Sequence, residues 1–419
     1  MINNSKIIFL ITSNYPFGIY ETFLEDELKY LENKFDKVVI ITTYSGTNNS
    51  KRHTGKSTEV IRIVKKNLLN RLKYYFLALS NRIFYYELID VFKSRRKIFE
   101  KAKTVIISFS NAYGIQNELK QNIDIYSQYQ NYVFYSYWFD DSAIAICLLN
   151  LKYKEVCKIS RAHGWDLYFE RSKNNFLPFR KFLLSELTKI YTISDDGRDY
   201  LRKLSKNKGC KIQTSRLGTS FIVNQKKDNH KKTFNSVVIC SCSYIVPVKR
   251  IELIYSSLQF ISEIKIEWFH IGKGELNRGY QEEIINRIEL NDKENLQIHF
   301  LGDLPNAAVL DFFNETKVDL FINLSSSEGI PVSIMEAMSF GIPVIATNVG
   351  VTSEIVNDIN GYLLDANPSS KEVANAIEGF YNLKGEVKAS KRKAAYETWN
   401  EEYNAENNYA EFVEDILSL

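Results

Sequence analysis

The chain has 419 residues, 45% of them hydrophobic; that is more than one core ordinarily serves, and two domains of roughly 200 residues each are the natural organisation. Its 54 Lys and Arg against 50 Asp and Glu leave a net charge of +4, which excludes a dedicated nucleic-acid binder, whose basic excess is larger and more clustered. The five cysteines (Cys147, Cys157, Cys210, Cys240 and Cys242) form no zinc-like quartet, and with no secretory signal read at the start they imply reduced thiols and a cytoplasmic setting.

In chain order, "KIIFLIT" at residues 6–12 is too short to span a membrane and no small-residue cleavage site follows it, so a buried first strand is expected. "KVVIITT", "KTVIISFS", "YVFYSYW" and "CKISRAHG" continue a series of strand-like runs without strict polar alternation. Such runs suit strands covered on both faces of a parallel α/β sheet. Residues 62–103 interleave Arg62, Lys65, Lys66, Arg71, Lys73, Arg82, Lys93, Arg95, Arg96, Lys97, Lys101 and Lys103 with aromatic residues. That stretch reads either as a surface for anionic lipid or as a helix pair on the sheet with a solvated cationic rim.

The polar, lysine-rich "NQKKDNHKKTFNS" at residues 224–236 reads as a linker. A second strand series follows in "VVICSCS", "IEWFHIG", "LQIHFLG", "VDLFINLS" and "PVIATN". The last stretch is helical in composition, with Trp399, Tyr403, Tyr409, Phe412 and Ile416 as a rough apolar stripe that needs a surface to pack on.

Within the second series, "SSSEGIPVSIMEAMSFGIPVIAT" sets Glu328 and Glu336 around a Gly-Ile-Pro turn. Pro331 has the backbone angle favoured at the first position of a helix, "VSIMEAMSF" continues that helix, and Gly341 stops it. The loop then lies at the carboxyl end of a parallel sheet, where open α/β proteins hold ligands. Free amides from Gly329 through Ile330 and Val332 to Ser333, with the helix dipole, favour a phosphate. An ionised Glu only accepts hydrogen bonds, so the two acids match the hydroxyls of a ribose or a hexose and not the phosphate itself. Glu336 lies roughly 7.5 Å beyond Pro331 at the helical rise of 1.5 Å per residue, so the acids hold opposite ends of a ligand. The plain alternative makes Glu328 a dipole-friendly residue before a helix and Glu336 a solvated one.

At these residues the chain resembles the retaining glycosyltransferases of family 4. The match is Glu328, Gly329, Pro331, then Glu336, Ala337, Met338, Gly341, Pro343 and Val344. "VPVKR" (246–250), "HIGKGEL" (270–276) and "FLGDLPNAAVLDFF" (300–313) are similar to that family's phosphate-binding lysine segment, its turn after a strand, and its base-proximal strand and helix. "SNYPFGIYETFLEDEL", "YSYWFDD" and "SRAHGWDLYFERS" resemble the subgroup of bacterial exopolysaccharide and O-antigen assembly. The resemblance implies the GT-B fold, two Rossmann-like domains with parallel sheets facing across a cleft. It implies a first domain over residues 1–220, a nucleotide-sugar domain over 221–395, and a terminal helix, 396–419, packing back on the first domain.

It further implies that Glu328 holds donor-sugar hydroxyls, Glu336 the ribose and Lys249 the diphosphate, with His163 beside the transferred sugar. Gly329, Ile330, Pro331, Val332, Gly302 and Arg250 would line the donor, and Gly18 would let backbone approach the phosphates or acceptor. Glu21, Trp138 and Arg216 are further candidates for diphosphate or acceptor contacts. Tyr244 departs from the family, which usually has an Arg five residues before the lysine; Arg250 or Arg216 would have to supply that charge. With no Asp-x-Asp motif, neither a metal nor another cofactor is expected. The implied reaction moves a hexose, from a UDP-sugar by the family's habit, to a polyprenyl-diphosphate-linked or other saccharide acceptor with retention of configuration. Three rivals remain: a glycoside hydrolase using the paired acids, a sugar-nucleotide epimerase of the same fold, and a GT-B-like subunit that binds a nucleotide sugar or a partner without catalysis.

Overall fold

The structure is a computed structural model and describes residues 5–18, 20–44, 46, 50–63, 74–77, 79–151, 155–205, 211–221, 236–273 and 278–419. Most of the lysine-rich stretch at 224–236, the basic residues Lys65, Lys66, Arg71 and Lys73, and Cys210 lie outside the described residues. The chain forms two compact units, Met1–Arg216 with Tyr409–Leu419, and Leu217–Asn408.

The first unit is built on a seven-stranded sheet, all of whose neighbouring strands pair in parallel, in the order β3-β2-β1-β4-β5-β6-β7. The strands are β1 (Lys6–Thr12), β2 (Lys37–Thr42), β3 (Thr58–Arg62), β4 (Asn131–Ser136), β5 (Glu155–Ala162), β6 (Lys189–Thr192) and β7 (Lys211–Thr214). In β1 and β2 every residue after the first is buried. Helices cover both faces, so strands buried on two sides carry apolar residues at every position instead of at alternate ones. Helix α1 (Leu24–Lys34) lies on one face through Leu24, Leu28 and Leu31.

Helices α2 (Arg82–Lys93) and α3 (Ile98–Ile123) cover the other face. Helix α3 corrects an expectation, because "KTVIISFS" lies inside it and is not a strand. Its buried positions include Val105, Phe109, Ala112, Ile115, Leu119 and Ile123. That helical spacing shows only when the window extends past the β-branched run, and packing then overrides local strand propensity.

The last eleven residues complete this unit. Phe412, Val413 and Ile416, on helix α13 (Ala405–Leu417), join the core layer of Leu24, Leu28 and Leu31. The Phe412 ring covers the Arg161 guanidinium at 4.2 Å. Arg161 pairs with Glu27 at 3.1 Å, both side chains fully buried, and its Nε donates to the Tyr135 hydroxyl at 2.9 Å. Asp415 accepts from the Tyr191 hydroxyl at 2.5 Å and pairs with Lys189.

The second unit has a six-stranded parallel sheet in the order β10-β9-β8-β11-β12-β13. These strands are β8 (Ser236–Cys242), β9 (Lys265–Ile271), β10 (Leu296–Gly302), β11 (Leu320–Asn323), β12 (Val344–Thr347) and β13 (Gly361–Leu364). Helix α10 (Val332–Ser339) connects β11 to β12, and helix α12 (Gly385–Glu402) packs on α10. Residues 396–408 stay with this unit. The Trp399 indole N–H donates to Thr219 Oγ1 at 2.8 Å, and the Thr219 amide donates to the Tyr403 carbonyl at 2.9 Å. Beside Thr219, the Leu217 carbonyl accepts from Asn408 Nδ2 at 3.1 Å and the Phe221 ring lies 5.7 Å from that of Trp399.

Both sheets reverse their strand order once, between β1 and β4 and between β8 and β11. Loops leaving the carboxyl ends of such neighbouring strands diverge to opposite faces and open a crevice, the usual ligand position in open α/β sheets.

Candidate functional site

In the second unit the crevice is bordered by the loop after β8, which runs to Arg250, and the loop after β11, which runs to Pro331. A short 3₁₀ turn, Pro247–Lys249, presents the lysine. Its Nζ contacts Glu328 Oε1 at 2.6 Å, and Asn323 Nδ2 donates to the same oxygen at 3.1 Å. The Asn323 carbonyl oxygen accepts the Ser325 amide at 3.1 Å, which fixes the side chain that fixes Glu328. The two loops are tied by the Ser326 amide, which donates to the Val248 carbonyl at 2.8 Å.

Helix α10 starts at Val332. Pro331 precedes it in an extended conformation, with φ −80° and ψ 102°, as its cap and not its first residue as the sequence suggests. The difference follows from the turn after Glu328, which must leave the sheet before helical angles begin. No side chain caps this helix; the Ile334 amide donates to the Pro331 carbonyl at 3.2 Å, and the amides of Val332 and Ser333 are left to a ligand or water. Gly329 has no neighbour within 4 Å of the position a Cβ would take. Ile330 is buried, and Gly341, at φ 64°, ends the helix as expected.

Glu336 is not a solvated residue, since it is 7% exposed. Burial pushes its carboxyl up to about 7, against the hydrogen bond that Asn306 Nδ2 donates to Oε1 at 2.5 Å. The Cys242 thiol at the end of β8 registers both neighbours. Burial first and the Glu336 carboxylate second push it up to about 12, while Lys249 pulls the other way. Glu328, Lys249 and Glu336 are thus gathered around the end of one strand.

Gly302 ends β10 at φ 71° and its carbonyl accepts the Gly272 amide at 2.8 Å. Gly272 is required where it stands, because a Cβ there would meet the Ser243 carbonyl oxygen at 2.2 Å. Residues 274–276 of "HIGKGEL" lie outside the described residues. Arg250 straps the site from behind. Its NH2 donates to the carbonyls of Ser325 at 3.0 Å and Ala366 at 2.7 Å. Its NH1 donates to Asn367 Oδ1 at 3.3 Å, and the buried Nε has no partner. Arg216 is the last residue of the first unit, where it pairs with Asp195 at 2.6 Å. Tyr244 is 43% exposed.

The other sequence-predicted residues lie in the first unit. His163 follows β5 and is 8% exposed, its ring 4.4 Å from Trp138 and 4.8 Å from Tyr137. Neither ring nitrogen has a hydrogen-bond partner within the protein. Glu21 accepts from Trp138 Nε1 at 2.6 Å and from three main-chain amides. Gly18 sits between these in the loop after β1, at φ 67°.

Three supporting residues escape sequence reading: Asn323, Asn306 and Asp166. The buried Asp166 carboxylate accepts the His163 amide and the Phe139 amide, each at 2.8 Å. It stands three residues after His163 in "SRAHGWD", and that spacing is its only sequence signal. Asn323 and Asn306 carry none, since each meets its Glu only after folding.

Residues 223–398 match the family model described as "Glycosyl transferases group 1". A peptide N-acetylglucosaminyltransferase GtfA subunit of Streptococcus agalactiae is 24% identical over 202 residues, 48% of this chain and 37% of that protein. The Escherichia coli O-antigen biosynthesis glycosyltransferase WbnH is 27% identical over 206 residues, 49% of this chain and 55% of that protein. The chain therefore spans about half the length, or less, of these curated relatives. The crystal structure of Anabaena HepE in complex with UDP superimposes with a TM-score of 0.67 at 16% identity, covering 99% of this chain and 100% of that one. The two parallel sheets with their helices are those of the GT-B fold.

Proposed function

From the premise that residues 223–398 are a group 1 glycosyl transferase domain, we propose that the chain transfers a hexose from a nucleotide sugar to an acceptor in cell-surface polysaccharide biosynthesis. The observation that carries this reading is the joint position of the Lys249–Glu328 pair and the uncapped start of helix α10. A cation and a set of free amides serve a diphosphate, while an acid one residue before Gly329 serves hydroxyls attached to it.

Lys249 and the α10 amides neutralise the leaving nucleoside diphosphate, so the step draws its stabilisation from fixed dipoles and one cation and asks for no metal. Glu328 holds the donor sugar. When the diphosphate takes Lys249, the acid is released towards the hydroxyls. Glu336 accepts from the ribose in its ionised form. In this reading His163, in the first unit, is the residue beside the transferred sugar; both its ring nitrogens are buried and have no hydrogen-bond partner within the protein. The departing phosphate takes the proton of the acceptor hydroxyl, and the sugar is delivered with retention of configuration.

The donor is a UDP-sugar, in keeping with the HepE complex, and the acceptor is a polyprenyl-diphosphate-linked saccharide at the inner face of the cell membrane. No helix among the described residues is long and apolar enough to cross a membrane. Helices α2 and α3, however, expose Tyr86, Ile89, Phe92 and Phe99, the last at 89%, beside Lys93, Arg95, Arg96 and Lys97. Apolar side chains with a cationic border suit peripheral contact with anionic lipid. Cosedimentation with phosphatidylglycerol vesicles at low salt tests that contact, and its absence removes it.

The reaction is tested by a thermal-shift panel of UDP-, GDP- and ADP-sugars, followed by measurement of nucleoside diphosphate release with and without saccharide acceptors. A donor binding only the folded chain raises its midpoint by mass action. Binding with release that depends on acceptor supports transfer. Isomerised sugar without release points to an epimerase, and release of sugar from a glycan without any nucleotide points to a hydrolase. A second reading, a subunit that binds the donor without turnover, is favoured by Tyr244 in place of the arginine and by the NH2 groups of Arg250 and Arg216, which protein oxygens already engage. Binding without release or isomerisation selects it.

A further inference from the structure

At the carboxyl end of β1 four hydrogen-bond donors converge on one carboxylate. Glu21 Oε1 accepts the Ser13 amide at 2.9 Å and the Trp138 indole N–H at 2.6 Å. Oε2 accepts the amides of Asn14 at 2.7 Å and Tyr15 at 2.6 Å. The Glu21 backbone holds φ 58°, a conformation that non-glycine residues seldom adopt. The hydrogen bonds of its own side chain hold it there.

Two donors on each oxygen leave little capacity for a substrate, which argues against Glu21 as a direct ligand. Only a carboxylate fits, because an amide would turn an NH₂ towards amide or indole N–H groups. Trp138 in turn packs on His163 with ring centroids 4.4 Å apart, and Tyr137 packs on the same ring at 4.8 Å. His163 Nδ1 stands 3.6 Å from Asp166 Oδ2, beyond hydrogen-bond distance. Within the protein, then, the imidazole has no hydrogen bond to orient it, and its aromatic neighbours set its direction.

We propose that Glu21 is a positioning residue, which clamps the Trp138 indole so that Trp138 holds the His163 ring in its working orientation. The proposal rests on the reading of His163 given under Proposed function. It adds a relay, at the β1/β4 strand-order reversal, that joins the loop after β1 to that histidine. No group of the relay exchanges protons; it acts by geometry, and a shift of about 1 Å in a reacting group can cost 100-fold in rate.

The test compares wild type with Glu21→Gln and with Glu21→Asp, which keeps the carboxylate. Carbethoxylation of His163 by diethyl pyrocarbonate, followed by peptide mass spectrometry, reports how firmly the ring is held; His299, on a strand of the second unit, is the internal control. Glu21→Gln is expected to speed modification of His163 several-fold without changing His299, and Glu21→Asp to restore part of the protection. UDP release from UDP-glucose is expected to fall about 10-fold in kcat with KM unchanged. The double variant Glu21→Gln/His163→Ala should be no slower than His163→Ala alone.

An unchanged His163 modification rate in folded Glu21→Gln overturns the proposal, as does a double variant slowed by the full factor of both changes. If Glu21→Gln fails to fold, Trp138→Phe, which deletes the indole N–H and keeps an aromatic ring, must show the same His163 response for the proposal to stand. If His163→Ala turns over like wild type, the catalytic reading of His163 fails, while the modification rates still decide whether Glu21 holds the ring.

Discussion

Each of the two strand-order reversals of this molecule has a glutamate beside it, Glu21 in the first unit and Glu328 in the second, held in opposite ways. In the first unit the carboxylate of Glu21 is saturated by three amides and an indole. In the second unit Glu328 meets an ammonium and one side-chain amide, next to a helix start that no side chain caps. The first arrangement satisfies its donors internally and makes a rigid wall. The second leaves donors unsatisfied and holds its acid by a pair that a diphosphate can exchange. On the reading proposed above, the same topology therefore yields a scaffold in one unit and a ligand site in the other, according to where the negative charge comes from.

The contrast predicts different signatures for loss of each acid. Glu328→Gln should reduce nucleoside diphosphate release by about 100- to 1,000-fold, as loss of a group acting at the transferred sugar. Because Lys249 is partly exposed and can be resolvated, the same variant should alter stability by no more than about 1 kcal/mol. An inactive variant that is also strongly destabilised would break the comparison.

Glu336 sharpens it through pH. Its folded-state carboxyl titrates at about 7 because of burial, above the ordinary value of an unfolded chain. A raised carboxyl contributes stability that is fully present below the unfolded value and is lost as pH rises through about 7. At pH 8 Glu336→Gln should be more stable than wild type, by on the order of 3–4 kcal/mol at about 1.4 kcal/mol per pKa unit; at pH 4 the two should converge. Donor affinity should move the other way, weakening about tenfold per pH unit below 7 as the acid protonates, and the variant should lose that dependence. Urea unfolding at pH 4 and 8 measures the first effect, and calorimetric titration of the best donor from the panel at pH 5.5 and 8 the second.

Glu21→Gln should lower stability by about 1–3 kcal/mol, since buried donors lose their acceptor; urea unfolding followed by far-UV circular dichroism measures it. Gly329→Ala should cost the fold least. A methyl there meets open space, so the thermal midpoint should hold while donor affinity falls by about tenfold, the effect of a side chain placed over the helix amides. A lowered midpoint would mean that the loop is a structural wall like that of the first unit.

Much of the second unit's site was legible in sequence, because its residues lie within one strand–loop–helix stretch. The Glu328–Val344 spacing carried the helix and the two acids around its start, and "VPVKR" supplied the lysine that pairs with Glu328. Its partners were not legible. Asn323 and Asn306 look like ordinary polar residues until β11 and the start of the helix Asn306–Glu315 bring them to the acids. In the first unit the long strands β1, β2, β4 and β5 announced themselves by runs without strict polar alternation. The five-residue β3 and four-residue β6 and β7 are too short to show a period. The run "KTVIISFS" was misleading, because α3 reveals its helical stripe only over several turns. Glu21 and Trp138 were singled out as ligand contacts; their union is a long-range fact that the sequence does not contain.

The cover over Arg161 sets an order on synthesis. The charged pair of Arg161 and Glu27 is sealed by Phe412, yet residues 217–408 leave the ribosome before that ring does. The earlier-made half must therefore wait with an unsealed ion pair, while the later-made half has every residue it needs to fold.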